Sequence, residues 1–158
     1  IRSCLVGSEM CIRDSHFSAA FVSPLYDVNK QDWSDELNDG IIDINKLPNL
    51  VWTNEIIGKI SKSASSQTGL AEGTIVTSGT IDAAAEAISV GVFSAGDMMM
   101  MYGSTMFYIL VTDKILSDKR LWYSPWLFKG EHSSMGGLAT SGTLTHWFKN
   151  NFAKGIIW

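Results

Sequence analysis

The chain has 158 residues, 46% of them apolar and 18% charged, with a formal net charge of −4. A mildly acidic balance removes the electrostatic footprint of a nucleic-acid binder. The apolar fraction is ample for a core, which argues against disorder, and no apolar run reaches the ~20 residues of a membrane helix. The longest candidate, Met98–Val111, is interrupted by Gly103, Ser104 and Thr105.

Residues 4–15, Cys-Leu-Val-Gly-Ser-Glu-Met-Cys-Ile-Arg-Asp-Ser, resemble the in-frame translation of a transposon-type sequencing adapter. Segments of foreign origin are set aside before fold reasoning, so residues 1–15 are expected to be an artefact that contacts nothing else. Arg2 and Arg13 offset Glu9 and Asp14, and the remaining chain keeps the net charge of −4. Cys4 and Cys11 are both in this string. With no later cysteine to complete a zinc site, and none left once the string is removed, the chain reads as a cytoplasmic protein without a disulfide framework. It stops on the apolar run Gly155-Ile-Ile-Trp158, so it is expected to be an internal piece of a longer protein.

His16–Asp27 reads as a strand or loop. Gln31–Asn38 reads as a short helix with Asn29 or Asp32 as cap, Trp33 and Leu37 one turn apart, and Gly40 as stop. Ile41–Leu50 is a connector, in which Pro48 ends any helix before it. Val51–Ile60 is a short extended piece, and Lys62–Thr68 one or two helical turns closed by Gly69. Thr74–Ser78 is β-branched and reads as a strand. Asp82–Val90 is Ala-rich and strongly helical, with Asp82 at or near its first turn. Met98–Tyr102 and Met106–Thr112 read as an antiparallel pair joined through Gly103-Ser104-Thr105. Asp113–Phe128 is irregular, and Trp122 and Trp126 are expected to pack beneath it. A final helix spans about Leu138–Phe152, with Leu144, Trp147, Phe148 and Phe152 at helical spacing. The mixture points to the α/β class.

Several residues admit a chemical and a plain reading. Asp82 can accept a proton from a hydroxyl or cap its helix, and the two roles are compatible. Small residues at Gly103, Ser104 and Thr105 let backbone N–H groups approach an anion; an ordinary hairpin turn uses the same residues. Met98–Met101 reads as a buried central strand rather than a metal site, and His132 and His146 as structural or solvent-facing. Trp122 and Trp126 offer faces for a sugar as well as core packing.

The ordered set Leu47-Pro48, Gly58-Lys-Ile, Thr68-Gly-Leu-Ala-Glu-Gly73, Gly79-Thr-Ile-Asp82 and Gly91-Val resembles the end of the first domain of FGGY carbohydrate kinases, the xylulokinase-like branch in particular. Met101-Tyr-Gly-Ser-Thr105 and Ala139-Thr-Ser-Gly-Thr-Leu-Thr-His-Trp147 resemble the start of the second. The resemblance runs from His16 to Ala153. It implies a fragment of a two-domain actin-like, ribonuclease-H-like ATPase fold, with residues 16–93 from the first domain, 94–158 from the second, and the active site between the two. The implied activity is ATP-dependent phosphorylation of a sugar, a pentulose such as xylulose, with ATP and Mg2+ as cofactors. Asp82 matches the catalytic acid, Thr80 and Asp82 the sugar contacts, and Gly103, Ser104 and Thr105 the turn on the ATP phosphates; no metal ligand is assigned. Gly136-Gly137 and Ser141-Gly142 match a feature at the entry to a helix. Ser104-Thr105-Met106 departs from the Thr-Ser-Gly of many relatives, placing a bulky side chain where close backbone approach is expected. The partners implied are a small sugar and ATP, with no nucleic acid and no membrane; a homodimer of the full-length protein is compatible with the resemblance. The piece alone is expected to lack kinase activity and to be poorly soluble. The alternatives are a non-catalytic binding or regulatory protein on an actin-like scaffold, or an assembly product with no function.

Overall fold

The computed structural model describes residues 13–153 and 155. Cys4, Cys11 and the apolar end at residues 156–158 lie outside the described residues. The chain divides into two compact units: residues 1–85 with 124–130, and residues 86–123 with 131–158.

Unit 1 begins with β1 (Arg13–Ser15), which pairs in parallel with β4 (Asn49–Val51). The expectation that residues 1–15 contact nothing fails for these three. Ser15 has extended backbone, and its hydroxyl accepts from the Ser18 N–H, which caps α1 (His16–Val22). This stretch was expected to be a strand or loop. Its only N-cap is the serine that the adapter reading discards, and capping by a serine hydroxyl satisfies an N–H that the helix itself leaves free. Two-residue strands β2 (Tyr26–Asp27) and β3 (Asp32–Trp33) pair next. The expected helix over 31–38 is reduced to a 3-10 turn at Asp35–Leu37, and a second such turn covers Ile44–Lys46. Asp39 and Gly40 both take positive φ, 43° and 72°, so the stop falls where the glycine indicated.

β5 (Ile56–Lys59) and β6 (Ile75–Thr77) form an antiparallel pair around α2 (Lys62–Thr68). The Ser61 hydroxyl caps α2, and Gly69 ends it at φ +77°. α3 (Asp82–Ser89) follows. The core of unit 1 is aromatic: Phe17 and Trp126 meet edge to face at 5.4 Å, and His16 lies 4.4 Å from Trp52. Phe17, Trp126 and Leu127 are almost wholly buried, each contributing about 1.5–3 kcal/mol relative to exposure.

Unit 2 is built on β7 (Met98–Tyr102), β8 (Met106–Thr112) and β10 (His132–Leu138), neighbours in that order in a four-stranded sheet whose last strand, β9 (Trp122–Pro125), crosses the unit boundary after Tyr123. The first two strands have the boundaries and antiparallel pairing expected. β7, however, is an edge strand, and only Met99 of its four methionines is buried. This overturns the buried central strand. Side chains alternate across a strand, so one face of an edge carries the core and the other does not. Trp126 packs as expected, whereas Trp122 is 59% exposed. α4 (Gly142–Phe152) starts four residues later than expected, because Leu138 ends β10 opposite Met106. Leu144, Trp147, Phe148 and Phe152 on α4 are all exposed.

Two measurements test this arrangement. Burial holds the His16 imidazole below its ordinary value of 6.5, assisted by Lys129 and opposed by Asp32 and Glu55. The unfolded chain therefore binds a proton that the folded chain resists. His16 favours folding fully above its unfolded value, and that contribution is lost as pH falls from there through the depressed folded value. Denaturant titrations between about pH 7 and pH 5 should show stability falling on acidification, and His16→Gln should flatten that slope. Ser15→Ala should lower unfolding free energy by about 1 kcal/mol, read as a shift in the denaturation midpoint; an unchanged midpoint would show that the cap contributes nothing.

Candidate functional site

In unit 1, β6 leads through Ser78, Gly79 and Thr80 into α3. Gly79 has φ +74° with open space around it, so its glycine is required by conformation and not by crowding. The sharp turn places Asp82 as the first residue of α3. Its carboxylate is exposed, and Oδ1 accepts from the Ala83 N–H at 2.8 Å. That bond serves one N–H of the helix's first turn and occupies one oxygen only. Two residues earlier, Thr80 Oγ1 is shielded from solvent and has no hydrogen-bond partner. A shielded hydroxyl without a partner costs free energy. Thr80 and Asp82, the two residues expected to contact a sugar, lie on one short turn.

In unit 2, Gly103, Ser104 and Thr105 join β7 to β8 as an exposed turn closed by the Gly103 N–H donating to the Thr105 carbonyl at 2.9 Å. Met106 is already in β8, opposite Tyr102. The bulk expected to interfere with the turn belongs instead to the strand. Gly136 and Gly137 are in β10 and not at a helix entry, while Ser141 and Gly142 do open α4. Asp97 closes the approach to β7, its Oδ2 accepting from the N–H groups of Phe93 and Ser94 at 3.1 and 2.9 Å. Those two bonds hold its carboxyl below the usual range, whereas burial and the nearby Asp97 push Glu131 up. His146 is exposed, and His132 Nδ1 is shielded without a partner.

Asp82 and the turn belong to different units, and each arrangement stands by itself. Sequence reasoning passed over a pocket of about 430 Å3 in unit 1, lined by His16, Asp32, Trp33, Asn45 and Asn49 among others. Its residues come from four short segments scattered along the chain, and no local pattern signalled it. Thr80 and Asp82 do not line it. Among the described residues no group of three or more His, Cys, Asp or Glu gathers as a metal site, and no helix is long and apolar enough to cross a membrane.

The mixed α/β architecture is that of the actin-like ATPase fold found in sugar kinases. Xylulose kinase from Rhodospirillum rubrum superposes with a TM-score of 0.80 at 23% identity, covering 91% of this chain and 29% of that one. Plasmodium falciparum glycerol kinase with ADP superposes with a TM-score of 0.74 at 17% identity, covering 89% and 29%. Residues 1–89 match the model of the FGGY family of carbohydrate kinases, N-terminal domain, and the chain belongs to that family. The match starts at residue 1 and so includes the adapter-like string. The xylulose kinase of Lactococcus lactis subsp. lactis (strain IL1403) is 28% identical over 144 residues, 90% of this chain and 29% of that protein. The xylulose kinase of Bacillus subtilis (strain 168) is 25% identical over 142 residues. The chain thus spans under a third of the curated relatives it matches.

Gly79→Ala should destabilise the chain by roughly 1–2 kcal/mol, the cost of a side chain in the left-handed region, because nothing crowds the site and conformation alone is at stake. A denaturant midpoint equal to the parent's would refute this.

Proposed function

We propose that this chain is part of an ATP-dependent carbohydrate kinase that phosphorylates a pentulose such as xylulose, and that it carries the catalytic base and the nucleotide-phosphate turn. Residues 16–93 would belong to its first domain and 94–158 to its second. The observation that carries the reading is the exposed Asp82 carboxylate, with only Oδ1 engaged, at the start of α3 in a chain of the FGGY family.

Asp82 Oδ2 orients the sugar hydroxyl and takes its proton as the hydroxyl oxygen attacks the γ-phosphorus. The new O–P bond forms as the bond to the β-phosphate oxygen breaks, and ADP leaves. Thr80 holds a neighbouring sugar hydroxyl. Phosphoryl transfer of this kind depends on positioning and on charge stabilisation more than on covalent chemistry. The Gly103–Thr105 turn fits a phosphate: it is exposed, lacks bulky side chains, and offers two hydroxyls and backbone N–H groups. Mg2+ supplies charge neutralisation on the phosphates when bound, and the described residues form no acidic cage for it. The relatives' printed names, xylulose kinase in both curated cases, support the pentulose as acceptor.

The test uses the full-length protein carrying this sequence. Release of ADP should depend on a pentulose; no turnover with xylulose or any other sugar or polyol would overturn the reading. Asp82→Asn retains size and much of the hydrogen bonding but cannot take the proton. Its kcat should fall by ~100- to 10,000-fold, with the sugar KM and the thermal midpoint little changed. A kcat near that of the parent would leave Asp82 as a helix cap alone.

A further inference from the structure

The tightest backbone approaches in unit 2 converge on the Gly103–Thr105 turn and the residue after it. A Cβ on Gly142 would stand 2.6 Å from the Gly103 carbonyl oxygen and 3.3 Å from its carbonyl carbon. A Cβ on Gly137 would stand 2.8 Å from the Met106 carbonyl oxygen. The obstructing atoms are main chain, so neither methyl fits unless the turn or its flank moves. Gly136 differs, because its Cβ would meet the ring of Tyr108, a side chain able to swing aside.

The same approach is hydrogen-bonded. The Gly142 N–H donates to the Gly103 carbonyl and the Ser141 N–H to the Ser104 carbonyl, both at 2.8 Å, and the Thr143 N–H reaches the Ser104 carbonyl at 3.5 Å. The first N–H groups of a helix have no acceptor within it. Ser141 provides no side-chain cap for α4, and the carbonyls of the turn serve in its place. This has a directional consequence. In a trans peptide the C=O and the following N–H point in opposite directions, and the chain has no cis peptide among the described residues. With the carbonyls of Gly103 and Ser104 drawn toward α4, the N–H groups of Ser104 and Thr105 point away from it. Neither donates to a backbone acceptor among the described residues.

We propose that Gly142 and Gly137 are positioning residues for the nucleotide. They let α4 and β10 close on the turn, so that the Ser104 and Thr105 N–H groups stand aimed at phosphate oxygens before ATP arrives. The inference rests on the reading of this turn as the phosphate contact and adds what orients it. Pre-aimed dipoles need no reorganisation when the anion binds.

Gly142→Ala and Gly137→Ala in the full-length kinase should raise the KM for ATP by up to about 100-fold, the scale of an ångström-sized misplacement. The sugar KM should remain that of the parent, while the thermal midpoint falls only by the cost of the local main-chain shift. Gly58→Ala, which meets open space at ordinary φ, is the control and should change nothing. An unchanged ATP KM in both folded variants overturns the proposal, and so does a joint loss of kcat, sugar affinity and thermal stability. Amide hydrogen exchange on the unmutated protein decides the case if neither variant folds. Ser141 and Gly142 should exchange slowly without nucleotide, while Ser104 and Thr105 should exchange fast until ADP is added. Fast exchange at Ser141 and Gly142 overturns the clamp. Absence of any sugar phosphorylation by the parent protein would instead sink the kinase reading, and the exchange pattern at Ser141 and Gly142 would still report on the clamp.

Discussion

Unit 2 depends on β8 being paired along both edges. β7 lies against one side, from Met98 opposite Leu110 to Tyr102 opposite Met106, and β10 against the other, from His132 opposite Thr112 to Leu138 opposite Met106. Both registers therefore meet at Met106. A one-residue slip of β8 against its neighbours would turn the buried Ile109 and Val111 outward. The apolar face thus fixes the register, and the register fixes where the hairpin turns. The exposed Gly-Ser-Thr segment is located by side chains several residues away from it.

The elements legible in the sequence are those whose signals are local. α2 has a serine before it and a left-handed glycine after it. β7 and β8 are apolar runs separated by turn residues, and Asp82 follows a glycine that takes positive φ. Elements that depend on distant partners were read less well. β10 contains Ser133, Ser134, Gly136 and Gly137, residues of weak strand propensity, and β8 pairs with it across the chain. The methionine run was taken for a centre because it is apolar, yet sheet position is a property of topology. α1 was missed because its cap was assigned to a foreign string. The catalytic candidates Thr80, Asp82 and Gly103–Thr105 were visible as types in order, while the grip of α4 on the turn required three-dimensional proximity between segments far apart in sequence.

Apolar surface remains at two places in unit 2. β7 presents Met98 and Met100, each just over half exposed, along an edge with one paired side. α4 presents Leu144, Trp147, Phe148 and Phe152, spaced for one stripe. An apolar edge and an apolar helix face are surfaces that proteins ordinarily cover. The curated relatives contain long stretches that have no counterpart in this chain.

The bonds that hold the Gly103–Thr105 turn to α4 all end on main-chain carbonyl oxygens. A carbonyl is present whatever side chain the residue bears. A change of side chain at positions 104 to 106 therefore leaves these acceptors in place. The constraint is displaced onto Gly137 and Gly142, which carry no side chain and cannot acquire one without moving the main chain opposite. Across descendants of this sequence, drift should accumulate in the Gly103–Thr105 loop's side chains and be purged from the two glycines packed against its main chain.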